Sequence, residues 1–236
     1  DAVLINYDGR KQSTTEYIGL GETAERTICD FAASGKGVII FHSTMILGEP
    51  ALPEEFVKMV GGEFNFFNGG RKYPRLTAPI KVLPGDPITE GVPEEWWTVQ
   101  EDFFTNVKWL EDAPVEVLAT VFEDSAAYKE GMQKHLKAMY GDVDFDAMEK
   151  MNTDHPVIWK NRYGKGRVYV TSIGHSYDTI FRPAFVALTC RGVEWACSGE
   201  VTIPYPDLEN ENRTRVWPYY EDMSCQRFAR IIEGRY

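Results

Sequence analysis

Two apolar runs on either side of one helical pattern constrain the fold more than any other feature of this chain. Ala2 to Tyr7 (AVLINY) is a short run without period, suited to a strand buried on both faces. After a polar loop, Ala24, Ile28, Phe31 and Ala32 recur at helical spacing, and Gly35 and Gly37 stop that helix. Val38 to Phe41 supplies a second buried strand. Parallel neighbours need a crossover connection, so this order predicts a parallel βαβ unit and an α/β class. At 236 residues and 43% hydrophobic content, the chain fits one domain, or one domain with an appendage.

Further along, a short helix is predicted at about Pro53 to Met59, ended by Gly61-Gly62. Strands are expected at Ile80–Leu83, Trp97–Gln100 and Val115–Ala119. Residues 123–152 are strongly charged and break the rhythm. They read as a surface insertion or lid, with a helix from Ala127 to Tyr140 followed by Asp142, Asp144 and Asp146. Pro156–Lys160 and Arg167–Ile173 form a hairpin around Asn161-Arg-Tyr-Gly-Lys-Gly. That Gly-Lys-Gly lacks the upstream glycine and the Lys-Ser/Thr ending of a phosphate loop, so it is a turn, and no nucleotide cofactor is expected. From Phe181, apolar positions Phe185, Leu188 and Trp195 mark a helix with Pro183 in its first turn. The tail beyond Gly199 reads as an irregular strap with a short helix near Ser224 to Ile232. The expected division is a domain over 1–198, carrying the 123–152 insertion, and an extension over 199–236.

The net charge of −11 argues against nucleic acid or an anionic membrane as partner, and its plainest role is solubility. No run of about 18 apolar residues predicts a membrane span. Of the four cysteines, Cys190 and Cys197 lie about 10 Å apart along one predicted helix, too far to bond each other. Asn212-Arg213-Thr214 matches a glycosylation acceptor, a triplet common by chance. Compartment, cytoplasmic or periplasmic/secreted, and self-association into a homo-oligomer stay open.

His42 and His175 each follow an apolar run, and ligands of open α/β sheets bind beyond the carboxyl ends of strands. Histidine serves there as metal ligand or near-neutral acid–base group. Glu101 and Asp102 end the strand predicted at Trp97–Gln100, among Trp96, Trp97, Phe103 and Phe104, where partial desolvation would suit proton transfer or metal ligation. Adjacent strand residues point to opposite faces, so only one of the two carboxylates is expected to face the site. Two histidines and a carboxylate make an open zinc, iron or manganese site, and a metal-free acid–base pair is equally compatible. Ser43, Thr44, Trp97, Phe104 and Asp178 flank these groups and are the expected substrate contacts, with Tyr177 beside Glu101 as a candidate proton carrier. His135 and His155 read as surface or structural. No cysteine follows a strand at a sheet edge, which disfavours a thiol nucleophile.

The motifs resemble, in order, those of the trehalose-utilisation (ThuA-like) family within the class I glutamine-amidotransferase-like superfold. They are Gly-Val-Ile-Ile-Phe-His42-Ser, Met-Val-Gly-Gly62-Glu-Phe, Pro-Ile-Thr-Glu-Gly91-Val-Pro and Val99-Gln-Glu-Asp-Phe-Phe, then Pro156-Val-Ile-Trp, Tyr163-Gly-Lys-Gly-Arg-Val, Ile173-Gly-His175-Ser, Pro183-Ala-Phe and Arg191-Gly-Val-Glu-Trp-Ala. The resemblance implies a flavodoxin-like three-layer sandwich, and with the hairpin and tail read above the expected fold is such a sandwich with a mostly parallel sheet, plus a C-terminal hairpin and an irregular tail. It implies that His42 stands at the elbow where amidotransferases carry cysteine, so glutamine hydrolysis is not expected. A divalent metal (zinc, manganese or iron) on His42, His175 and Asp102 is implied, with a sugar, glycoside or keto-sugar as substrate and hydrolysis, elimination or isomerisation as the chemistry. Two departures stand out. Relatives usually carry one or two earlier strand–helix units, and they often have a histidine shortly after Gly-Gly-x-Phe, where Asn65 and Asn68 stand here. These departures favour the alternative of a non-catalytic module that binds a sugar or a protein.

Overall fold

The computed structural model describes residues 1–7, 19–45, 54–65, 69–130, 141–142 and 144–206. The βαβ unit is present as β1 (Ala2–Ile5), α1 (Glu22–Ala33) and β2 (Gly37–Phe41), with β1 and β2 parallel. Helix α2 (Glu54–Val60) follows, then β3 (Gly62–Glu63), β4 (Arg71–Leu76), β5 (Pro79–Val82), β6 (Glu95–Trp97), β7 (Glu101–Thr105), β8 (Lys108–Trp109) and β9 (Glu116–Glu123). A short helix, α3 (Ser125–Glu130), precedes the long hairpin of β10 (Thr153–Tyr163) and β11 (Gly166–Thr171). The chain then forms one turn, α4 (Tyr177–Ile180), and α5 (Pro183–Ser198), which has Pro183 in its first turn and a left-handed Gly199 behind it.

Seven strands make the central sheet, in the order β1-β2-β11-β10-β9-β5-β6. Only the β1–β2 and β2–β11 contacts are parallel; β11–β10, β10–β9, β9–β5 and β5–β6 are antiparallel. The expectation of a mostly parallel sheet is therefore corrected to a mixed one. Connection length is the reason: Gly164 and Lys165 alone join β10 to β11, and so short a link can only reverse the chain. The hairpin accordingly lies inside the sheet rather than as a C-terminal appendage. Two small antiparallel ribbons, β3–β8 and β4–β7, complete the strands.

Helices cover both faces of the parallel part. Val38, Ile40, Val168 and Val170 pack with Cys29 and Ala32 of α1 and Phe56 and Met59 of α2. The alternate residues Ile39 and Tyr169 pack with Leu188 and Trp195 of α5. This strict alternation is the two-residue period of a strand buried on both sides.

The strand expected at Trp97–Gln100 lies instead at Glu95–Trp97, and Gln100 adopts φ 47, which ends extended pairing there. Glu101 and Asp102 therefore begin β7 rather than end the preceding strand. The helix expected over Ala127–Tyr140 is described only as Ser125–Glu130. Residues 131–140 with His135, Asn68, and residues 207–236 with the expected helix near Ser224 and the Asn212 triplet lie outside the described residues. Tyr128 and Met151, from the charged segment, are buried in the α5-side core. Among the described residues no helix is long and apolar enough to cross a membrane.

Candidate functional site

Strands β2 and β11 are parallel neighbours, with Phe41 beside Thr171, so the segments leaving their carboxyl ends emerge together. His42 opens a single 3-10 turn (His42–Met45) at φ 43, a left-handed value that costs a non-glycine residue roughly 1–3 kcal/mol. Gly174, at φ 145, runs hard against this turn. A Cβ there would lie 2.4 Å from the Phe41 ring and 3.2 Å from the His42 Cβ, so only glycine admits the approach. The His42 Nδ1 sits 2.6 Å from the Ser172 carbonyl oxygen. A carbonyl only accepts, so Nδ1 carries the proton and Nε2 keeps its lone pair.

Strand β7 brings the carboxylates. Asp102 is fully buried, with Oδ1 3.4 Å from His42 Nε2 and Oδ2 3.4 Å from His175 Nδ1. Glu101, its neighbour, accepts the backbone N–H groups of Gly174, His175 and Ser176 at 3.4, 2.8 and 3.1 Å. The two side chains diverge as strand neighbours must, yet both act here: Asp102 faces the histidines, and Glu101 grips the loop that carries one of them. Burial pushes the His42 imidazole down to about 4, against the pull of Asp102, so the ring is neutral near pH 7. Burial pushes the Glu101 carboxyl up to about 7, opposed by its backbone donors.

Among the described residues, His42 Nε2 and Asp102 Oδ1 are buried polar atoms without a hydrogen-bond partner. Such atoms are nearly always paired. His42, Asp102 and His175 each offer one ligand atom within 4.8 Å of the others. Ligands bound at ~2.0–2.2 Å to one ion lie about 3.0–3.5 Å apart, and the His42–Asp102 and His175–Asp102 distances, 3.4 Å each and to different oxygens, are of that size. The residues present thus fit a divalent metal.

Other expected residues fall into three groups. Phe104 is buried, its ring 5.1 Å from that of His42, and forms a wall of the site. Ser43 is buried beside His42, and Tyr177 and Asp178 open α4 just past His175, the tyrosine ring 4.6 Å from Phe181. Thr44 is committed elsewhere, since its hydroxyl donates to the Ile5 carbonyl and accepts from the Tyr7 N–H, both at 2.8 Å. Trp97 stands half-exposed on edge strand β6, with four strands between it and β2. His155 is structural, buried and 3.0 Å from Glu123. Asn65 donates its amide to Glu63 Oε1 at 3.4 Å.

Two cations escape the sequence reading. Lys72 Nζ lies 2.9 Å from Asp102 Oδ2, and Arg75 Nε lies 3.6 Å from the same oxygen. Both sit on β4, in a stretch (Arg-Lys-Tyr-Pro-Arg) whose pairing no periodicity announces. The described cysteines lie elsewhere, Cys29 buried on α1 and Cys190 and Cys197 exposed on α5.

A family model described as trehalose utilisation (ThuA) matches residues 1–196. A ThuA-like protein from Parabacteroides merdae superposes with a TM-score of 0.61 at 18% identity, covering 87% of this chain and 73% of that one. A second ThuA-like protein, from Bacteroides uniformis, gives 0.53 at 16% identity over 77% of this chain and 67% of the other. At these identities the likeness is one of fold. No curated protein matches the chain by sequence.

Proposed function

The chain belongs to the trehalose-utilisation (ThuA) family, whose model spans residues 1–196, and on that premise we propose a carbohydrate-active enzyme that works with a divalent metal held by His42, Asp102 and His175. The observation that carries the reading is the unpartnered pair, His42 Nε2 and Asp102 Oδ1, buried 3.4 Å apart beside His175. The substrate class, a sugar, glycoside or keto-sugar, rests on the family's description. Zinc, manganese or iron bound there would polarise a substrate carbonyl or hydroxyl.

The chain's own groups divide the remaining work. The Ser172 carbonyl fixes the His42 tautomer, as second-layer partners of ligating histidines generally do. Glu101 is a positioning residue, holding the 174–176 backbone so that His175 meets Asp102. Phe104 and the buried Ser43 keep water from the His42 side. His175 is the most open of the three, its side chain 28% exposed, and marks the direction from which a sugar arrives. Tyr177, two residues on, is the candidate to move a proton at the substrate hydroxyl. Histidine at the elbow in place of a thiol sets this chemistry apart from glutamine hydrolysis.

The test is metal content by plasma mass spectrometry after reconstitution with zinc, manganese or iron, beside a His42→Ala/His175→Ala variant whose fold is checked by circular dichroism. About one equivalent in the parent, absent from the folded variant, is expected. No metal in either would overturn the reading and favour a sugar- or protein-binding module.

A further inference from the structure

Strands β4 and β7 pair Arg71 with Thr105, Lys72 with Phe104 and Tyr73 with Phe103, then skip to Leu76 with Glu101. One extra residue has entered β4, so Pro74 and Arg75 together oppose Asp102. A regular ladder would send Lys72 and Arg75 to opposite faces. The bulge re-aims Arg75, and both cations reach the same Asp102 oxygen, Lys72 Nζ at 2.9 Å and Arg75 Nε at 3.6 Å. Proline, which has no N–H to give a ladder, suits such a position. The Arg75 side chain is 55% exposed, and among the described residues its terminal amino groups make no hydrogen bond.

We propose that Lys72 and Arg75 form an anion subsite at the mouth of the His42–Asp102–His175 centre, and that the substrate is a sugar bearing a carboxylate or a phosphate. This inference deepens the carbohydrate reading and rests on it. Both cations lie against Asp102 in a chain whose net charge is −11, so cationic groups gather at this centre where the protein as a whole repels anions. A neutral sugar would gain nothing from them. A half-exposed guanidinium whose Nε lies 3.6 Å from Asp102 presents the planar fork that carboxylates and phosphates fit, and Lys72 adds a point charge beside it.

The test is titration calorimetry at low ionic strength on the full chain, with glucuronate, glucose 6-phosphate and glucose as probes and zinc content read in the same samples. At least one anionic probe is expected to bind roughly ten- to a hundredfold tighter than glucose, the range for one charge-assisted contact. Preference for glucuronate assigns the carboxylate source, and preference for glucose 6-phosphate the phosphate source. Arg75→Gln, at an exposed position, is expected to lose the preference while keeping zinc and glucose affinity, and Lys72→Gln to weaken it. Equal affinity for the three probes, no detectable binding of any, or a preference unchanged in Arg75→Gln would each overturn the proposal. An Arg75-dependent preference in protein that takes up no zinc would uphold the subsite and overturn the metal reading. Zinc uptake without any anion preference would do the reverse.

Discussion

Glu123 and Asp102 are both carboxylates with no exposed surface, and their surroundings could hardly differ more. Glu123 has every oxygen engaged. Arg71 donates to both oxygens, Thr105 and Tyr128 donate their hydroxyls, and His155 Nε2 lies 3.0 Å away. His155 in turn accepts the Asn106 N–H on Nδ1 at 3.1 Å, which closes the network. Asp102 meets His42 and His175 at 3.4 Å and two cations on one side, while among the described residues its Oδ1 has no hydrogen-bond partner. Adjacent on β4, Arg71 reaches Glu123 and Lys72 reaches Asp102. A saturated buried carboxylate ties the ribbon to the sheet; one left short of partners is built to meet something else.

The sharpest break between the two sites is expected in stability. Arg71→Ala leaves Glu123 buried without its main partner, and breaking such a pair costs roughly 3–5 kcal/mol, read from urea unfolding midpoints. Asp102→Asn is expected to change stability by less than about 1 kcal/mol while abolishing metal uptake, since functional groups are commonly held at some cost to the fold. If the aspartate variant unfolds as readily as the arginine one, the contrast collapses.

Acid titration sharpens the same contrast. Burial alone would raise the Glu123 carboxyl, but the bonds from His155, Arg71 and Tyr128 together hold it near about 2, against 4.5 when unfolded. A lowered folded pKa means stability that is complete above 4.5 and is lost as pH falls through about 2. Glu101, raised to about 7, contributes with the opposite sign, fully below 4.5 and lost as pH rises through 7. Unfolding free energies at pH 7, 5, 4 and 3 are expected to fall more steeply for the parent than for Glu123→Gln. Parallel slopes would remove Glu123 as the source. A smaller effect is expected of Gly174→Ala, which pushes the His175 loop off Phe41 and lowers zinc affinity with the fold retained. Trp97→Ala, on the far edge strand, is expected to move stability by no more than about 0.5 kcal/mol and to leave metal affinity unchanged.

The site was legible where the chain leaves the sheet. His42 and His175 follow apolar runs, and position alone marks them as edge residues. Asp102 was legible from its aromatic company, although it begins β7 rather than ending the strand expected at Trp97–Gln100. The Glu123 network was not, because Arg71, Thr105, Tyr128 and His155 share no spacing and meet only through tertiary packing. Lys72 and Arg75 were hidden by the bulge, since alternation assigns them to opposite faces. The β10–β11 hairpin was legible from its turn, but the antiparallel pairings of β9, β5 and β6 were not, because an apolar run announces a buried strand but not the direction of its neighbour.

The place of β11 between β2 and β10 has a consequence for how the protein comes into being. The bond between His42 and Ser172 spans 130 residues, so it cannot form until nearly all of the matched domain has been synthesised. Until then β2 has only β1 beside it, and its other edge offers unpaired backbone to any passing strand. Contacts so distant along the chain form slowly. The centre is therefore assembled late, and a nascent chain that already holds His42 and Asp102 has no competent site until its last strand slides home.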